Sequence, residues 1–456
     1  MIKKEIFLII FFSLLFSSLT SLMIAVSHPS REQNSRNNNK EYTLIIEGNH
    51  TYGGTRSDCG TSIIQTAGGG FAIAGYSESY SFNKKDFWFV RTDASGVILW
   101  NKTFGGEEDD VAHSIVSTSD GGFALVGYTE SFGEGQDDMW LVKTDSDGNM
   151  EWNETYGDNG YQDASALIYT SDKGFLLTGS TRPSIANADY DMWIVKTDAS
   201  GVAIWNKTYG GEKDDRATSA IQTSSGDFAL AGTTQSFGAG YIDMWLLKIN
   251  TSGGVLWNET YGGVEGDEAF ELIQTSDGGY ALTGYTISFG AGSSDIWLVK
   301  TNEAGLIQWN QTYGKSGIDM ALSLLQTSDN GFAVVGAFNP GSGVCDMWFL
   351  KTDISGNIQF NVTFRGSHMT LIASMIQTSD GKYVLLGMIT GWNDYGQLDD
   401  DLRIIIINLE VEDGSTSVST STDQTSTSST PRTSSGLTFS TLLIAVLLFY
   451  RRKDGE

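Results

Sequence analysis

Apolar and polar residues alternate in short runs along most of this chain, and turn residues separate the runs. In one stretch the runs cover residues 112–118, 123–128, 139–144 and 150–156. Alternation with a period of two, interrupted by Ser-Asp-Gly-Gly and Asp-Ser-Asp-Gly, predicts four antiparallel strands joined by tight turns. No segment of the repeat has a convincing helical period, so the pattern predicts an all-β fold.

The four-strand pattern recurs at a nearly constant interval. Asn-x-Thr triplets mark seven copies, with steps of 52, 52, 53, 52, 52 and 51 residues. A repeat of about 50 residues with four antiparallel strands has the size of one propeller blade. The triplets begin at Asn49, Asn101, Asn153, Asn206, Asn258, Asn310 and Asn361.

The two ends of the repeat region complement each other. The last copy stops after a third strand at 403–409, and the first copy follows an isolated strand at 42–48 that aligns with the fourth strands. Pairing the two completes a seventh blade and removes two sheet edges that would favour aggregation. The sequence therefore predicts a single seven-bladed β-propeller over residues 42–410, closed by its amino-terminal strand.

Tryptophans occupy two fixed positions of the repeat. Eleven of the twelve lie either in the third or in the fourth strand. Large rings at constant positions favour packing between adjacent blades over stacking on a sugar. The third-strand set is Trp88, Trp140, Trp193, Trp245, Trp297 and Trp348, and the fourth-strand set is Trp100, Trp152, Trp205, Trp257 and Trp309.

The segments outside the repeats indicate export and anchoring. Residues 1–27 have the layout of a secretory signal peptide, although their apolar run is long enough to stay as a membrane anchor. Residues 28–41 are predicted to be a linker, and the Ser/Thr-rich residues 411–435 an extended stalk. The apolar segment 436–450 before the basic tail 451–456 predicts a membrane span or a processed sorting signal, with the repeats outside the cell.

The chain is strongly acidic, with a formal net charge of −27. Nucleic acids are bound through stripes of Lys and Arg, so this charge argues against a nucleic-acid partner. It suits solubility, cation binding or a cationic partner. Cys59 and Cys345 lie in different repeats, so they are either two unpaired thiols or a single bridge, but no disulfide framework.

Residues 93–100, Asp-Ala-Ser-Gly-Val-Ile-Leu-Trp, resemble the tryptophan-docking repeat of quinoprotein propellers, and the Gly-Gly pairs resemble those of kelch blades. The Asp–Gly spacing is one residue shorter than the quinoprotein pattern, and the adjacent cysteine pair is missing. The best resemblance is to tandem propeller repeats of archaeal and bacterial surface proteins, with DGG-F-x-L-x-G, D-x-W-L-x-K and G-x-x-x-W-N-x-T-Y-G-G motifs, over nearly all of 42–410. It implies a propeller and an exported location, but no agreed activity.

Two series of aspartates recur at the starts of the first and third strands, and antiparallel order places both on one face. Clustered carboxylates there suit Ca²⁺ or a ligand bound through a cation. Alternatively each carboxylate binds the amides of its own turn, which recurrence in every blade favours. The first series, our candidate ligand-binding set, is Asp58, Asp110, Asp215, Asp267 and Asp319. The second is Asp86, Asp138, Asp191, Asp243, Asp295, Asp346 and Asp401.

The seven Asn-x-Thr triplets lie on the predicted fourth strands. Asn and Thr two residues apart share one side of a strand, and on an outermost strand that side reaches water. In an exported chain all seven asparagines are acceptors for N-glycosylation. The alternative is ordinary cross-strand hydrogen bonding, with the triplet inherited by duplication.

The loop between strands two and three departs from its usual S-F-G-x-G-x-x-D sequence in three copies. The departures are 182–184, 338–340 and 390–395. Trp392 is the one tryptophan off the repeat pattern, and with Asp394 and Tyr395 it forms a candidate contact for a sugar or a cation-bearing ligand. Ordinary loop packing is the alternative.

The sequence contains no recognisable catalytic constellation. The four histidines lack metal-ligand spacing and a Ser-His-Asp order, so no catalytic residue, metal site or cofactor other than Ca²⁺ is predicted. We therefore expect an anchored, non-enzymatic binding or adhesion module for a glycan or protein ligand. An extracellular carbohydrate-active enzyme with a pair of carboxylates, or a structural envelope glycoprotein, are the alternatives.

Overall fold

A computed structural model describes residues 34–37, 40–82, 84–185, 188–339, 346–364, 370–392 and 398–413. The predicted signal peptide, apolar segment and basic tail, and the stalk beyond residue 413, lie outside these ranges. Within them, no helix has the length and apolar character that crossing a membrane requires.

The described residues form seven antiparallel sheets, as the repeat predicts. Blade one is β3 (Asp58–Gln65), β4 (Phe71–Ser77), β5 (Asp86–Thr92) and β6 (Ile98–Phe104). Blade two is β7 (Asp110–Ser117), β8 (Phe123–Thr129), β9 (Asp138–Thr144) and β10 (Met150–Tyr156). Blade three is β11 (Tyr161–Tyr169), β12 (Phe175–Arg182), β13 (Asp191–Thr197) and β14 (Ala203–Tyr209). Blade four is β15 (Asp215–Gln222), β16 (Phe228–Thr234), β17 (Asp243–Ile249) and β18 (Val255–Tyr261). Blade five is β19 (Asp267–Gln274), β20 (Tyr280–Thr286), β21 (Asp295–Thr301) and β22 (Ile307–Tyr313). Blade six is β23 (Asp319–Gln326), β24 (Phe332–Phe338), β25 (Asp346–Thr352) and β26 (Ile358–Phe364).

Blade seven joins the two ends of the repeat region, which confirms the predicted closure. Its strands are β27 (Thr370–Gln377), β28 (Tyr383–Trp392), β29 (Leu398–Asp413) and, from the amino-terminal end, β2 (Lys40–Tyr52). Antiparallel pairs such as Leu44 with Leu409 and Asn49 with Ile405 set the register between β2 and β29. The first strands of neighbouring blades contact one another in a closed cycle, in which β27 lies beside β3.

The closing sheet extends beyond the predicted boundaries. A short strand, β1 (Asn34–Asn37), pairs with the outer edge of β2. These four residues fall within the predicted linker, 28–41, and pair with β2 in the sheet. The physical reason is that β2 begins at Lys40 and offers an unpaired edge to the chain that precedes it.

The hydrophobic core is divided among the spaces between adjacent blades. One cluster combines Phe87 and Phe89 of blade one with Phe123 and Trp140 of blade two, and the rings of Phe87 and Trp140 are 4.6 Å apart. Trp88 and Trp140 are each 1% exposed, as expected for the third-strand tryptophans. Fourth-strand rings such as Trp100 pack edge-on at the borders of these clusters. The tryptophans therefore serve packing between blades.

An ion pair between a buried lysine and an exposed aspartate links two of the recurring motifs. The lysine of D-x-W-L-x-K reaches back to the aspartate of the S-D-G-G turn, as in Lys143 with Asp120 at 2.9 Å and Lys300 with Asp277 at 2.9 Å. The lysine side chain is almost fully buried in both pairs, so the carboxylate offsets part of the cost of burying its charge. Gly121 of this turn has a φ of 86°, a conformation that glycine adopts without strain.

A hydrogen bond from a tyrosine side chain to the backbone ties five of the blades to the next blade. Tyr261 at the end of β18 donates from its hydroxyl to the carbonyl of Gly305 in blade five, at 2.6 Å. Tyr156 and Tyr313 bind Gly201 and Gly356 in the same way at 2.6 Å. These bonds fix the spacing of neighbouring blades.

We expect Tyr261→Phe to lower the free energy of unfolding by about 1 kcal/mol, because the buried Gly305 carbonyl loses its donor. Urea denaturation followed by tryptophan fluorescence measures the change. Blade one carries Phe104 at the equivalent position. The matched variant Phe104→Tyr should therefore not destabilise the protein, and equal stability of Tyr261→Phe and wild type would contradict the proposed role.

Candidate functional site

The first aspartate series hydrogen-bonds to its own loops. Asp110 Oδ2 accepts hydrogen bonds from the Gly106 amide and from Ser131 Oγ, both at 2.8 Å. The other four carboxylates also accept from the amide four residues earlier, and no two of the five share a donor. These residues are Asp58, Asp215, Asp267 and Asp319. Each of these carboxylates thus binds amides of its own loop, which was the structural alternative to ligand binding. A role of the five aspartates in ligand binding stays a prediction.

The second series also caps loops on the same face. Asp138 Oδ2 accepts from the amides of Glu134 and Gly135 at 2.8 and 2.9 Å. Asp295 Oδ2 accepts from Ala291 and Gly292 at 2.7 and 2.8 Å. Recurrence of these aspartates therefore has a local structural cause.

The triplet asparagines have a structural role as well. In six blades the side-chain oxygen of Asn accepts a hydrogen bond from the indole nitrogen of the third-strand tryptophan, as in Trp140 to Asn153 at 3.0 Å. The bond provides an acceptor for a donor that packing would otherwise leave unpaired. All seven triplet asparagines are exposed at the outer edge of their blades. Their glycosylation stays a prediction.

The three irregular loops have different outcomes. Phe338 is buried and its ring packs 5.0 Å from that of Trp348, while the amide of buried Asn339 donates to Asp319 at 2.9 Å, so this loop completes the core. Trp392 ends β28 with its side chain outside the described set, and Asp394 and Tyr395 lie outside the described residues. Arg182 ends β12 on the face where the aspartates lie.

The first strands contain the least repetitive positions of the blade. Their second and fourth residues are apolar in blades six and seven but polar or charged over much of blades two to five. The second-position residues are Cys59, Val111, Asp163, Arg216, Glu268, Met320 and Leu371. The fourth-position residues are Thr61, His113, Ser165, Thr218, Phe270, Leu322 and Ala373. Ligand-specific chemistry is expected where repeats differ, and here they differ around the inner ring of strands.

Two of these residues form a paired acid and base. His113 Nδ1 lies 3.1 Å from Asp163 Oδ1 and 3.0 Å from the carbonyl oxygen of Ala164. Burial lowers the pKa of His113, but the Asp163 carboxylate and the Ala164 carbonyl outweigh burial and raise it above its ordinary value. The pair joins the first strands of blades two and three.

Beside this pair, two arginines stack on tyrosine rings. The guanidinium carbon of Arg182 lies 4.3 Å from the ring centroid of Tyr161 and 4.6 Å from that of Tyr190. That of Arg216 lies 3.6 Å from the Tyr190 ring, at cation–π distance. Burial raises the pKa of Tyr190 and the two arginines oppose the rise.

We name His113, Asp163, Arg182, Tyr190 and Arg216 the inner-rim cluster. The sequence analysis flagged Arg182 as part of an irregular loop but missed the other four. Their signal was present in the sequence, because each differs from its counterparts when the repeats are compared position by position. Three of them lie on first strands, and Tyr190 comes directly before a third strand. The residues that recur in every blade belong to the structural scaffold, whereas the residues of the inner-rim cluster do not recur.

A single carboxylate replaces a ring of serines further along the inner strands. Glu271 stands where other blades have Ser62, Ser114, Ser219, Ser323 or Ser374. Ser219 Oγ donates to Glu271 Oε1 at 3.0 Å. Burial raises the pKa of Glu271 to about 7, although the bonds from Ser219 and the Leu272 amide lower it.

Comparisons with known proteins identify no family for this chain. No family model matches the chain, and no curated protein matches it. Among solved structures it is similar to Sqt1 from Chaetomium thermophilum, with 13% identity, 77% of this chain and 85% of that chain covered, and a TM-score of 0.44. It is also similar to a protein of unknown function from Dyadobacter fermentans, with 11% identity, 80% and 99% covered, and a TM-score of 0.43. The Pan2 WD40 domain of Neurospora crassa gives 10% identity, 65% and 88% covered, and a TM-score of 0.40.

The pKa of Glu271 leads to a prediction about stability. A carboxyl group whose pKa rises on folding binds its proton more tightly in the folded state, so its contribution is present at low pH and is lost as the pH rises from about 4.5 through about 7. We expect this group to lower the free energy of unfolding by on the order of 2 kcal/mol between pH 5 and pH 8.

Glu271→Gln removes the titration and keeps the volume, so that part of the pH dependence should disappear. Urea denaturation at pH 5 and at pH 8 measures it. Glu303→Gln is the matched control, because Glu303 is exposed in a turn. The same pH dependence in Glu271→Gln as in wild type would show that Glu271 does not titrate in this interval.

Proposed function

We propose that this chain is an exported, membrane-anchored β-propeller that binds an acidic glycan, bearing carboxylate or sulfate groups, at the inner-rim cluster. The observation that supports it is the pair of arginines, Arg182 and Arg216, stacked on the ring of Tyr190 at one rim of a chain with 28 Lys and Arg against 55 Asp and Glu. Guanidinium groups bind carboxylate and sulfate through paired N–H donors. A tyrosine ring beside them suits the face of a sugar.

Binding is favoured over catalysis by what the acidic groups of the cluster already do. Asp163 is paired with His113. Asp214 accepts the Tyr190 amide at 2.8 Å and lies 3.9 Å from Arg216. Glycoside hydrolysis needs two carboxylates on opposite sides of a scissile bond, with one of them able to give up a proton. Here both carboxylates position neighbouring protein groups.

Export and anchoring belong to the proposal on the basis of the terminal segments. The chain leaves blade seven through β29, which ends at Asp413, and the rest of the predicted Ser/Thr-rich stalk, up to residue 435, follows. An apolar segment and the basic residues 451–453 come next. This order suits a propeller held away from a bilayer by a spacer.

A structural envelope glycoprotein is the second candidate function. Its support is the exposure of all seven triplet asparagines on the outer edges of the blades. In six of them the tryptophan bond engages the side-chain oxygen and not the nitrogen to which a glycan is attached. Modification at these positions would cover the outer strands, which otherwise present unpaired edges.

We expect Arg216→Gln to weaken binding to acidic glycans at least tenfold, because a hydrogen bond to a charged group contributes about 1.5–3 kcal/mol. A glycan array with uronate-bearing, sulfated and matching neutral glycans measures the binding. Arg56→Gln is the matched control, since Arg56 is an exposed arginine in the loop before β3 and lies outside the cluster.

The control should bind as wild type does. Equal binding of acidic and neutral glycans, or full binding by Arg216→Gln, would contradict an anion site at the inner rim. An array with no bound glycan at all would leave the structural role as the better explanation of this chain.

We expect a chain that ends at Asp413 to appear in the culture medium, whereas the complete chain sediments with membranes. Cell fractionation followed by immunoblotting measures the distribution. The intact mass of the membrane-extracted protein shows whether residues 1–27 have been removed and how many asparagines carry a glycan. Recovery of both chains inside the cell would contradict export.

A further inference from the structure

Two carboxylates meet at several of the junctions between neighbouring blades, and one such pair lies between blades four and five. Asp243 opens β17 and Asp267 opens β19, and Gly262 follows β18 between them. A β-carbon on Gly262 would lie 1.7 Å from Asp243 Oδ1 and 2.9 Å from Asp267 Oδ2. Both oxygens therefore lie close to Gly262, and Asp243 Oδ1 approaches the backbone so closely that only glycine fits at this position.

One of these oxygens has no donor. Asp243 is 1% exposed, and its Oδ2 accepts the Gly240 amide at 2.9 Å. Its Oδ1 is buried with no hydrogen-bond partner among the residues that the structure describes. A buried carboxylate oxygen without a partner is costly, so something absent from the protein's own hydrogen bonds is expected to bind it.

The facing carboxylate makes the cost larger. Asp267 is fully buried, and its Oδ2 accepts the Gly263 amide at 2.8 Å and Ser288 Oγ at 2.7 Å. Two negative groups at one buried point repel each other unless positive charge lies between them. Neutral donors bind Oδ2 of each carboxylate, but Asp243 Oδ1, close to Gly262, has no donor among the residues that the structure describes.

The same arrangement recurs at other junctions. A β-carbon on Gly314 would lie 1.9 Å from Asp295 Oδ1 and 2.6 Å from Asp319 Oδ2. At Gly157 the two facing atoms are Asp138 Oδ1 and the side-chain amide oxygen of Gln162. Gln162 stands where most other blades have the first-strand aspartate, so this junction still has two oxygens. Repetition shows that oxygen atoms at this point are a property of the junction rather than an accident of one side chain.

We propose that Asp243 and Asp267 bind a divalent cation, Ca²⁺ by the chemistry of its ligands, which joins blades four and five. Two oxygens at these distances from one point can both lie within the 2.3–2.6 Å that Ca²⁺ prefers. No group of three or more Asp, Glu, His or Cys side chains around one point occurs in the described parts of the chain, so backbone oxygens and water supply the remaining ligands. The site is separate from the inner-rim cluster and does not depend on the proposed glycan binding.

Equilibrium dialysis of the purified full chain against radioactive CaCl₂, after treatment with a chelator, tests the proposal. Wild type should bind Ca²⁺, and Asp243→Asn should bind one ion fewer per chain. The rise in Tm on adding CaCl₂ should also be smaller in Asp243→Asn than in wild type, because a ligand stabilises the state that binds it.

Asp198→Asn is the matched control. Asp198 Oδ1 accepts the amides of Ser200 and Val202 at 2.9 and 3.0 Å in an exposed turn, so this variant loses one charge and keeps the junction. It should bind as much Ca²⁺ as wild type. If Asp243→Asn does not fold, Asp267→Asn takes its place with the same expected loss. Absence of Ca²⁺ binding by wild type, or equal stoichiometry in wild type and the junction variant, would overturn the proposal.

Discussion

The pairing of β2 with β29 is the constraint on which the rest of the propeller depends. Each blade buries its faces only against its neighbours, so an open row of seven would leave two apolar faces in water. The closing strand belongs to two core clusters, because Tyr42 and Leu44 pack with blade six and Tyr52 packs with blade one. One strand therefore completes a sheet and also the core on each side of it. Contacts that draw on both ends of the chain hold the ring in a single register.

Most polar residues that recur in this chain belong to that scaffold. Recurring aspartates cap the loops, buried lysines such as Lys143 pair with the turn aspartates, and triplet asparagines accept from tryptophan. Each interaction satisfies a group that packing has removed from water, and every blade repeats the need. A residue that is present in all blades therefore indicates a structural requirement of the blade. Residues that differ among blades are the better candidates for ligand binding.

The fold could be predicted because the sequence repeats the same strand pattern many times, whereas the residues of the candidate site each occur once. Seven copies repeat the strand pattern, and the orphan strand at 42–48 could be placed by counting strands. His113 and Asp163, by contrast, lie in different repeats and meet only because first strands of neighbouring blades pack side by side. Arg182 stood out as an irregular residue, but its stacking on Tyr190 depends on how a loop folds over the inner rim. Burial of Glu271, which decides its pKa, is likewise a property of the closed ring.

Net charge alone gives a misleading picture of what this protein can bind. A net charge of −27 suits solubility, cation binding or a cationic partner, yet Arg182 and Arg216 both lie against the ring of Tyr190. At an ionic strength of 0.1 M, exposed charges more than about 10 Å apart are largely screened, so distant carboxylates affect a bound anion little. Charged groups within hydrogen-bond distance of a bound anion interact with it through a partly buried, less polar medium. They therefore contribute most of the electrostatic energy of binding. For the acidic glycan that we propose as the ligand, overall charge would govern the rate of approach, and the two arginines would govern the lifetime of the complex.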